Sequence, residues 1–374
     1  MWKKNSIIRN LTIGLLFVTL FLYGFIHARN FLYPIFLAIL IAYLLHPMAN
    51  FLEKHKFPRI LANIISIIFA IIIVGGGIYF MYTQISVFIQ DLPTLKDQAV
   101  ANIRQLESFI EAKTGISTVA QQKWIENQIN DIFESGSEVF GTAFSATTGT
   151  ATRMGLLPVY VFFMLYYRDK FKKFILLIVP DEKHEKTEKI LDDVSYVTEK
   201  YMSGVFAVVL ILCVLNSVGL LIVGINYAIL FGIISALFNF IPYFGTLIGG
   251  LVPLAYTLLL SPYPEKVVGV IIYFIIIQFT ENNILTPNIT GGNVQLNPFI
   301  TILSIILGGM LWGVVGMFLI VPFIAMFKIF CEYFDLLKPY AFLLGTGGAE
   351  EHSLTREKIV RFFKINKNKS TKEN

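Results

Sequence analysis

The sequence predicts an all-α, polytopic membrane protein, and three observations support that fold class. The chain of 374 residues is 55% hydrophobic and only 15% charged, with a mean hydropathy of +0.68, whereas a soluble domain carries about 25% charged residues. Apolar runs of roughly 18 residues recur, each long enough to cross a bilayer as a helix. The runs are continuous rather than alternating, so they indicate helices and not barrel strands.

The hydropathy pattern divides the chain into four predicted regions. Transmembrane spans occupy residues 1–85, and an extracytoplasmic helical insert occupies 86–145. A transmembrane core follows at 146–335, with a charged cytoplasmic connector at 168–200, and a basic tail covers 336–374. Within these regions we predict spans at 8–26, 31–45, 60–82, 154–167, 205–223 and 267–285, short apolar pieces at 227–241 and 244–260, and a longer stretch at 299–330.

The insert is predicted to start with an amphipathic helix, because its apolar residues recur at intervals of three and four. Thr114-Gly115 should end that helix, and a second amphipathic helix should begin near Ile125. We expect the apolar stripe of the first helix to pack within the assembly. The stripe consists of Phe88, Leu92, Leu95, Ala99, Ile103, Leu106 and Ile110.

The distribution of lysine and arginine predicts the orientation. Basic clusters lie at the N-terminus, between the second and third spans, after the fourth span and in the tail. Cytoplasmic loops carry such an excess, so both termini are expected in the cytoplasm. The pieces after 205–223 then have to make an odd number of crossings. Either 227–260 is one crossing broken around Pro242, or 299–330 is a hairpin folded at Gly308-Gly309; both give about eight crossings.

A carboxylate inside an apolar run marks the candidate site. Glu281 lies within 267–285, where an unpaired charge costs on the order of several kcal/mol. We therefore predict a solute or ion pathway there. The alternative is structural, with Glu281 bound to a neighbouring donor so that two helices are locked together. The residues predicted to share the pathway are Gln278, Asn282, Asn283, Asn239, Pro242, Gly245 and Asn297.

Other classes of chemistry receive little support from the sequence. No HExxH, GxSxG or paired-aspartate pattern occurs in a span, so we do not expect an enzyme. The two cysteines, Cys213 and Cys331, form no disulfide framework or metal-ligand spacing, and we expect no metal and no cofactor. The net charge of +5 is explained by membrane orientation, so we expect no nucleic acid partner. The expected partners are the bilayer, a small polar solute, H⁺ or Na⁺, and further copies of the chain.

Short motifs in the C-terminal half resemble those of a known family. In chain order they are Tyr201-Met202-Ser203-Gly204, Gly224-Ile225-Asn226-Tyr227, the run from Asn239 to Gly245, Glu281-Asn282-Asn283, and Leu296-Asn297-Pro298-Phe299. Their order and spacing are similar to those of the AI-2E (autoinducer-2 exporter) transporter family. The resemblance is good over 150–335, weaker over 1–85, and limited to length and helical character in the insert.

The resemblance implies about eight spans and export across the bacterial cytoplasmic membrane. The exported compound would be a small polar metabolite or signalling molecule, with coupling to a proton or sodium gradient. A sodium (lithium)/proton antiporter is the alternative, and a passive channel or scaffold is another. Asn297-Pro298 stands where the family pattern has His-Pro, so a histidine-based proton step at that point is not implied.

Overall fold

The computed structural model describes residues 2–114, 127–128, 131, 155–242, 244–290 and 296–347. These residues confirm the all-α prediction, and five of the described helices are long and apolar enough to cross a membrane. In chain order the helices are α1 (Trp2–His27), α2 (Arg29–Lys54), α3 (Arg59–Thr114), α4 (Leu157–Tyr166), α5 (Arg168–Ile178), α6 (His184–Val223), α7 (Ala228–Phe238), α8 (Phe244–Leu260), α9 (Pro264–Thr280), α10 (Thr286–Thr290), α11 (Pro298–Glu332) and α12 (Lys338–Leu344). A π-helical segment, Glu281–Leu285, joins α9 to α10.

Helix α3 joins two elements that the sequence separates. Its 56 residues correspond to about 84 Å of helix, far more than the roughly 30 Å hydrocarbon thickness of a bilayer. The predicted span at 60–82 and the first insert helix are therefore one helix. Its described part reaches Thr114, and the predicted break at Thr114-Gly115 lies at the edge of the described residues. The second insert helix lies outside the described residues apart from isolated positions, and the division into regions stays a prediction.

Helix α6 lies at the centre of the bundle and contacts α2, α5, α7, α9, α10 and α11. We call the end of the bundle that holds the α2–α3 loop the Arg59 end, and the end where α6 finishes the Gly224 end. Ion pairs join helices at the Arg59 end: Arg168 donates to both carboxylate oxygens of Glu53, at 2.9 and 2.6 Å, and Arg59 contacts Asp169 at 2.7 Å. These side chains tie the α4–α5 junction to α2 and α3.

Helices α7 and α8 form a hairpin that starts and finishes at the Gly224 end. Gly224 follows α6 with φ of 78°, and the turn sends α7 back along α6. The Ser235 hydroxyl donates to the Gly249 carbonyl, and the rings of Phe231 and Tyr256 lie 4.8 Å apart, so α8 runs antiparallel to α7. The α7–α8 hairpin enters the bundle and leaves it at the same end.

Helix α11 is also folded back on itself. Its backbone is non-helical at Trp312 and Gly313, where Gly313 has φ of 64°, a left-handed conformation that favours glycine. A Cβ atom on Gly308 would lie 2.4 Å from the Gly316 carbonyl oxygen. In a straight helix these residues would be about 12 Å apart. The α11 hairpin therefore has antiparallel arms, Pro298–Leu311 and Val314–Glu332, and Trp312 at its tip donates to the Phe25 carbonyl at 3.1 Å.

The crossing pattern corrects both alternatives drawn from the sequence. Residues 227–260 do not make one crossing broken around Pro242, because α8 returns alongside α7. The reversal in 299–330 does occur, but at Trp312-Gly313 rather than at Gly308-Gly309. The arms of the α11 hairpin count as separate crossings, and the α7–α8 hairpin is re-entrant. The total remains about eight.

The apolar stripe of α3 packs partly on the α7–α8 hairpin. Phe88 and Leu95 are buried in one cluster with Leu230, Phe231 and Val270, and the first half of the stripe contacts α7 and α8 of the same chain. For this half of the stripe, the packing partner among the described residues is therefore the α7–α8 hairpin. The side chains of Leu106 and Ile110 lie outside the described residues, and their contacts stay a prediction.

The glycine contact in the α11 hairpin generates the first prediction. We expect Gly316→Ala to lower the thermal stability by about 2 kcal/mol or more, because the added methyl group would lie 2.0 Å from the Gly308 carbonyl oxygen and overpacking of this kind costs about 1–3 kcal/mol. Gly24→Ala, on α1, is the matched control, since no described residue lies within 4 Å of its Cβ position. Thermal unfolding of both variants in the same detergent measures the difference; equal melting temperatures would contradict the hairpin contact.

Candidate functional site

Glu281 begins a local irregularity in the long α9–α10 helix. The backbone N–H of Thr286 bonds to the Glu281 carbonyl, which is the five-residue spacing of a π-helix. Pro287 explains the wider turn, because a proline lacks an N–H and its ring clashes with the carbonyl four residues earlier. Single π turns inside α-helices occur frequently at functional sites. The sequence did not predict this segment, because the predicted span ends at Leu285, before Pro287.

The Glu281 carboxylate is buried and bonded to neutral amides. Glu281 is only 9% exposed. Oε2 accepts hydrogen bonds from Gln278 Nε2 at 3.2 Å and from Asn239 Nδ2 at 3.4 Å. Among the described residues no lysine, arginine or histidine approaches Glu281 within 4.0 Å. The carboxylate is therefore held by dipoles, without a compensating cation from the described part of the chain.

The tip of the α7–α8 hairpin brings Asn239 to this carboxylate. Asn239 is the C-cap residue of α7, and Gly245 packs directly against it: a Cβ atom on Gly245 would lie 1.9 Å from Asn239 Oδ1. Pro242 lies in the same turn and is half-buried. Four of the residues predicted for the pathway therefore lie at this site. Gln278 and Asn239 bond to Glu281, and Pro242 and Gly245 lie in the turn beside it.

The remaining predicted residues do not bond to Glu281. Asn282 and Asn283 are exposed, and Asn283 Nδ2 donates to the carbonyl of Phe279 one turn earlier at 2.8 Å. Asn297 caps α11: its Oδ1 accepts from the backbone N–H of Phe299 at 3.0 Å. The backbone N–H of Asn297 donates to the Leu344 carbonyl at 2.8 Å. The structure therefore assigns Asn297 a local structural contact at the Arg59 end.

A cavity of about 610 Å³ opens at the Arg59 end between α2, α4, α5 and α6. The walls near its mouth carry ion pairs. Arg168 is bonded to Glu53, and Lys172 lies 2.8 Å from both Asp192 and Glu188. The hydrogen bond that Lys172 donates to Asp192, followed by the one that it donates to Glu188, raises the pKa of Lys172 above its usual value. The sequence analysis missed this cavity because its lining comes from separate helices.

Other polar groups show which chemistry the described residues can hold. No group of three or more histidine, cysteine, aspartate or glutamate side chains in the described ranges is arranged to hold a metal ion. Asn63 on α3 is fully buried, and its amide atoms have no hydrogen-bond partner in the described structure. Asn63 was not among the residues predicted for the pathway.

The fold and this arrangement define a polytopic helical membrane protein in which the tip of the α7–α8 hairpin meets a buried carboxylate. The sequence profile of the AI-2E family transporter matches residues 15–335. The chain therefore belongs to the AI-2E transporter family, as the sequence motifs indicated. Membership in a transporter family also supports the expectation that the protein is not an enzyme.

Individual relatives cover most of the chain. One is "Putative transport protein YrrI" of Bacillus subtilis, 29% identical over 315 residues, which are 80% of this chain and 86% of the relative. Another is "AI-2 transport protein TqsA" of Escherichia coli, 24% identical over 321 residues, or 84% of this chain and 89% of the relative. A third is "Putative transport protein" of Borreliella burgdorferi, 24% identical over 350 residues, or 92% of this chain and 91% of the relative.

Proposed function

We propose that this membrane transporter exports a small polar solute from the bacterial cytoplasm and that a proton or sodium gradient drives export. Glu281 would load and release the coupling ion. The observation that carries the proposal is the burial of this carboxylate beside two neutral amides, with no basic partner among the described residues. A proton or Na⁺ is the simplest compensating charge for such a group.

The hairpin geometry supports a movable site. Irregular backbone at membrane depth is tolerated where protein buries it or where it lines a cavity, and transporters bind ions and solutes at such breaks. Asn239 belongs to the α7–α8 hairpin, whereas Gln278 and Glu281 belong to the α9–α10 helix. A change in the charge of Glu281 would alter its bonds to both elements. The hairpin would thus respond to ion loading.

The relative TqsA carries AI-2 transport in its name, which supports a small polar metabolite or signalling molecule as the solute of this chain. A sodium (lithium)/proton antiporter is the second candidate. It is favoured by the same carboxylate, since a lone acidic group between amides can serve two cations in turn without any organic solute. Flux measured with each gradient separately distinguishes the candidates.

We also propose a homo-oligomer in the cytoplasmic membrane. Residues 71–80 of α3 are exposed on every side in the described part of the chain, and no described residue lies within 4 Å of the Cβ positions of Gly75, Gly76 and Gly77. Small residues permit close approach of transmembrane helices. A particle mass in mild detergent equal to one 42.3 kDa chain plus its micelle would contradict this part of the proposal.

The orientation generates the second prediction. In a background without Cys213 and Cys331 we expect Ser108→Cys, on the extension of α3, to react with an impermeant thiol reagent in intact cells. Lys183→Cys, in the connector before α6, should react only after lysis. The expectation rests on the basic clusters flanking the insert. The reverse labelling pattern would invert the topology and would turn the proposed export direction around.

The third prediction concerns Glu281. Glu281→Gln keeps the size and the hydrogen bonding but removes the titratable charge. We expect gradient-driven flux in proteoliposomes to fall by about tenfold or more, equivalent to about 1.4 kcal/mol, and its pH dependence to flatten. Folding should survive, because a neutral amide costs less in hydrocarbon than a carboxylate.

The matched control is Glu182→Gln, at an exposed position before α6, where flux should be unchanged. Thermal unfolding is measured on the same preparations. If Glu281 only locks two helices, the Gln variant should melt earlier and the surviving protein should keep pH-dependent flux. That combination would remove Glu281 from the coupling mechanism.

A further inference from the structure

A second cavity, of about 350 Å³, lies at the Gly224 end, away from the residues around Glu281. Four parts of the chain form it: the extension of α3, the α6–α7 turn, the end of α8 and the start of α9. Its polar lining includes Gln98, Asn102, Asn226, Tyr256, Ser261 and Lys266. The volume is that of a small-molecule site, for which cavities of about 300–1,000 Å³ are usual.

Lys266 supplies the formal charge of this lining. Its Nζ donates to the Gly224 carbonyl at 2.7 Å, just beyond the C-terminus of α6, and lies 5.7 Å from the centre of the Tyr263 ring. Among the described residues no carboxylate lies within 4.0 Å of Nζ. An ammonium has three donors, so donors remain for an anionic group in the cavity.

Amide and hydroxyl groups surround this charge. Asn102 Nδ2 donates to the Leu259 carbonyl at 3.3 Å, which leaves its Oδ1 as an acceptor. Asn226 and Tyr256 both line the cavity with their polar side chains. Gln98 is exposed and its amide has no hydrogen bond within the described residues. These groups match hydroxyl groups, which donate and accept hydrogen bonds.

The turn that forms one wall is held in a fixed shape. Tyr227 has φ of 56°, which is uncommon for a residue with a side chain. Its hydroxyl donates to Asp91, and its ring packs edge-on against Phe88 at 5.2 Å and Tyr256 at 5.9 Å. Strain of this kind persists where the surroundings enforce it, often at binding sites.

We propose that this cavity binds a small hydroxy acid, with the carboxylate on Lys266 and the hydroxyl groups on the amides of α3 and of the α6–α7 turn. The site is separate from Glu281 and does not depend on the proposed ion coupling. It would accept its ligand at the end of the bundle from which the α3 extension projects.

Calorimetric titration of the full-length protein in detergent tests this assignment. The probes are D-gluconate and sorbitol, which share a hydroxylated six-carbon chain and differ in the carboxylate. We expect saturable binding of gluconate at about millimolar concentration or below, and binding of sorbitol weaker by about tenfold. Lys266→Gln should abolish the preference for gluconate, and Lys266→Arg should keep it.

Further variants make the test independent of folding and of transport. Gln98→Glu, at an exposed position, should weaken gluconate binding without changing the melting temperature, because it adds a like charge beside the ligand. Lys173→Gln, far from the cavity on α5, should bind as the wild type does. The proposal fails if gluconate does not bind saturably, if sorbitol binds equally well, or if Lys173→Gln weakens binding as much as Lys266→Gln.

Discussion

Close contact between backbones at glycine is the constraint on which the rest of the structure depends. A bilayer offers no water to backbone groups, so a chain that reverses direction at depth has to bury its turn in protein. Because Gly308 and Gly316 have no side chains, the backbone carbonyl of each can contact the Cα of the other across the α11 hairpin. Gly245 lets α8 start directly beside Asn239. With larger residues the arms would separate, and the turns would be open to lipid.

The buried carboxylate depends on the same packing. The α7–α8 hairpin carries its C-cap asparagine, Asn239, into the bundle, and the donor of that side chain meets Glu281 only because the turn is compact. In the α9–α10 helix, the π turn that starts at Glu281 and precedes Pro287 shifts the helical register. Irregular backbone from two elements and one carboxylate therefore coincide in space, although they are some 40 residues apart in sequence.

The sequence predicted the features that follow from composition and periodicity. Hydropathy gave the helices, and the cost of a buried charge selected Glu281 before any contact was known. The sequence could not place the reversal in α11, because Gly308-Gly309 and Gly313 are equally good candidates for a turn. Only the structure shows that Gly313 is the one with the positive φ. The sequence also divided α3 into two helices, because polarity rises near Ser86. The helical period of the apolar residues is nevertheless the same on both sides of that point. Asn297 was selected for its polarity and family position, but it caps a helix.

The base of the α7–α8 hairpin links its tip to the α3 extension. Tyr227 lies in the turn that starts the hairpin and bonds to Asp91 on α3, while Asn102 on α3 bonds to the carbonyl of Leu259, near the end of α8. Both legs of the hairpin are thus anchored to one long helix. A movement of the hairpin as a rigid unit that separated Asn239 from Glu281 would have to carry α3 with it or break these bonds. The part of α3 beyond the bilayer thickness therefore has a mechanical connection to the buried carboxylate, through packed residues rather than through distance alone.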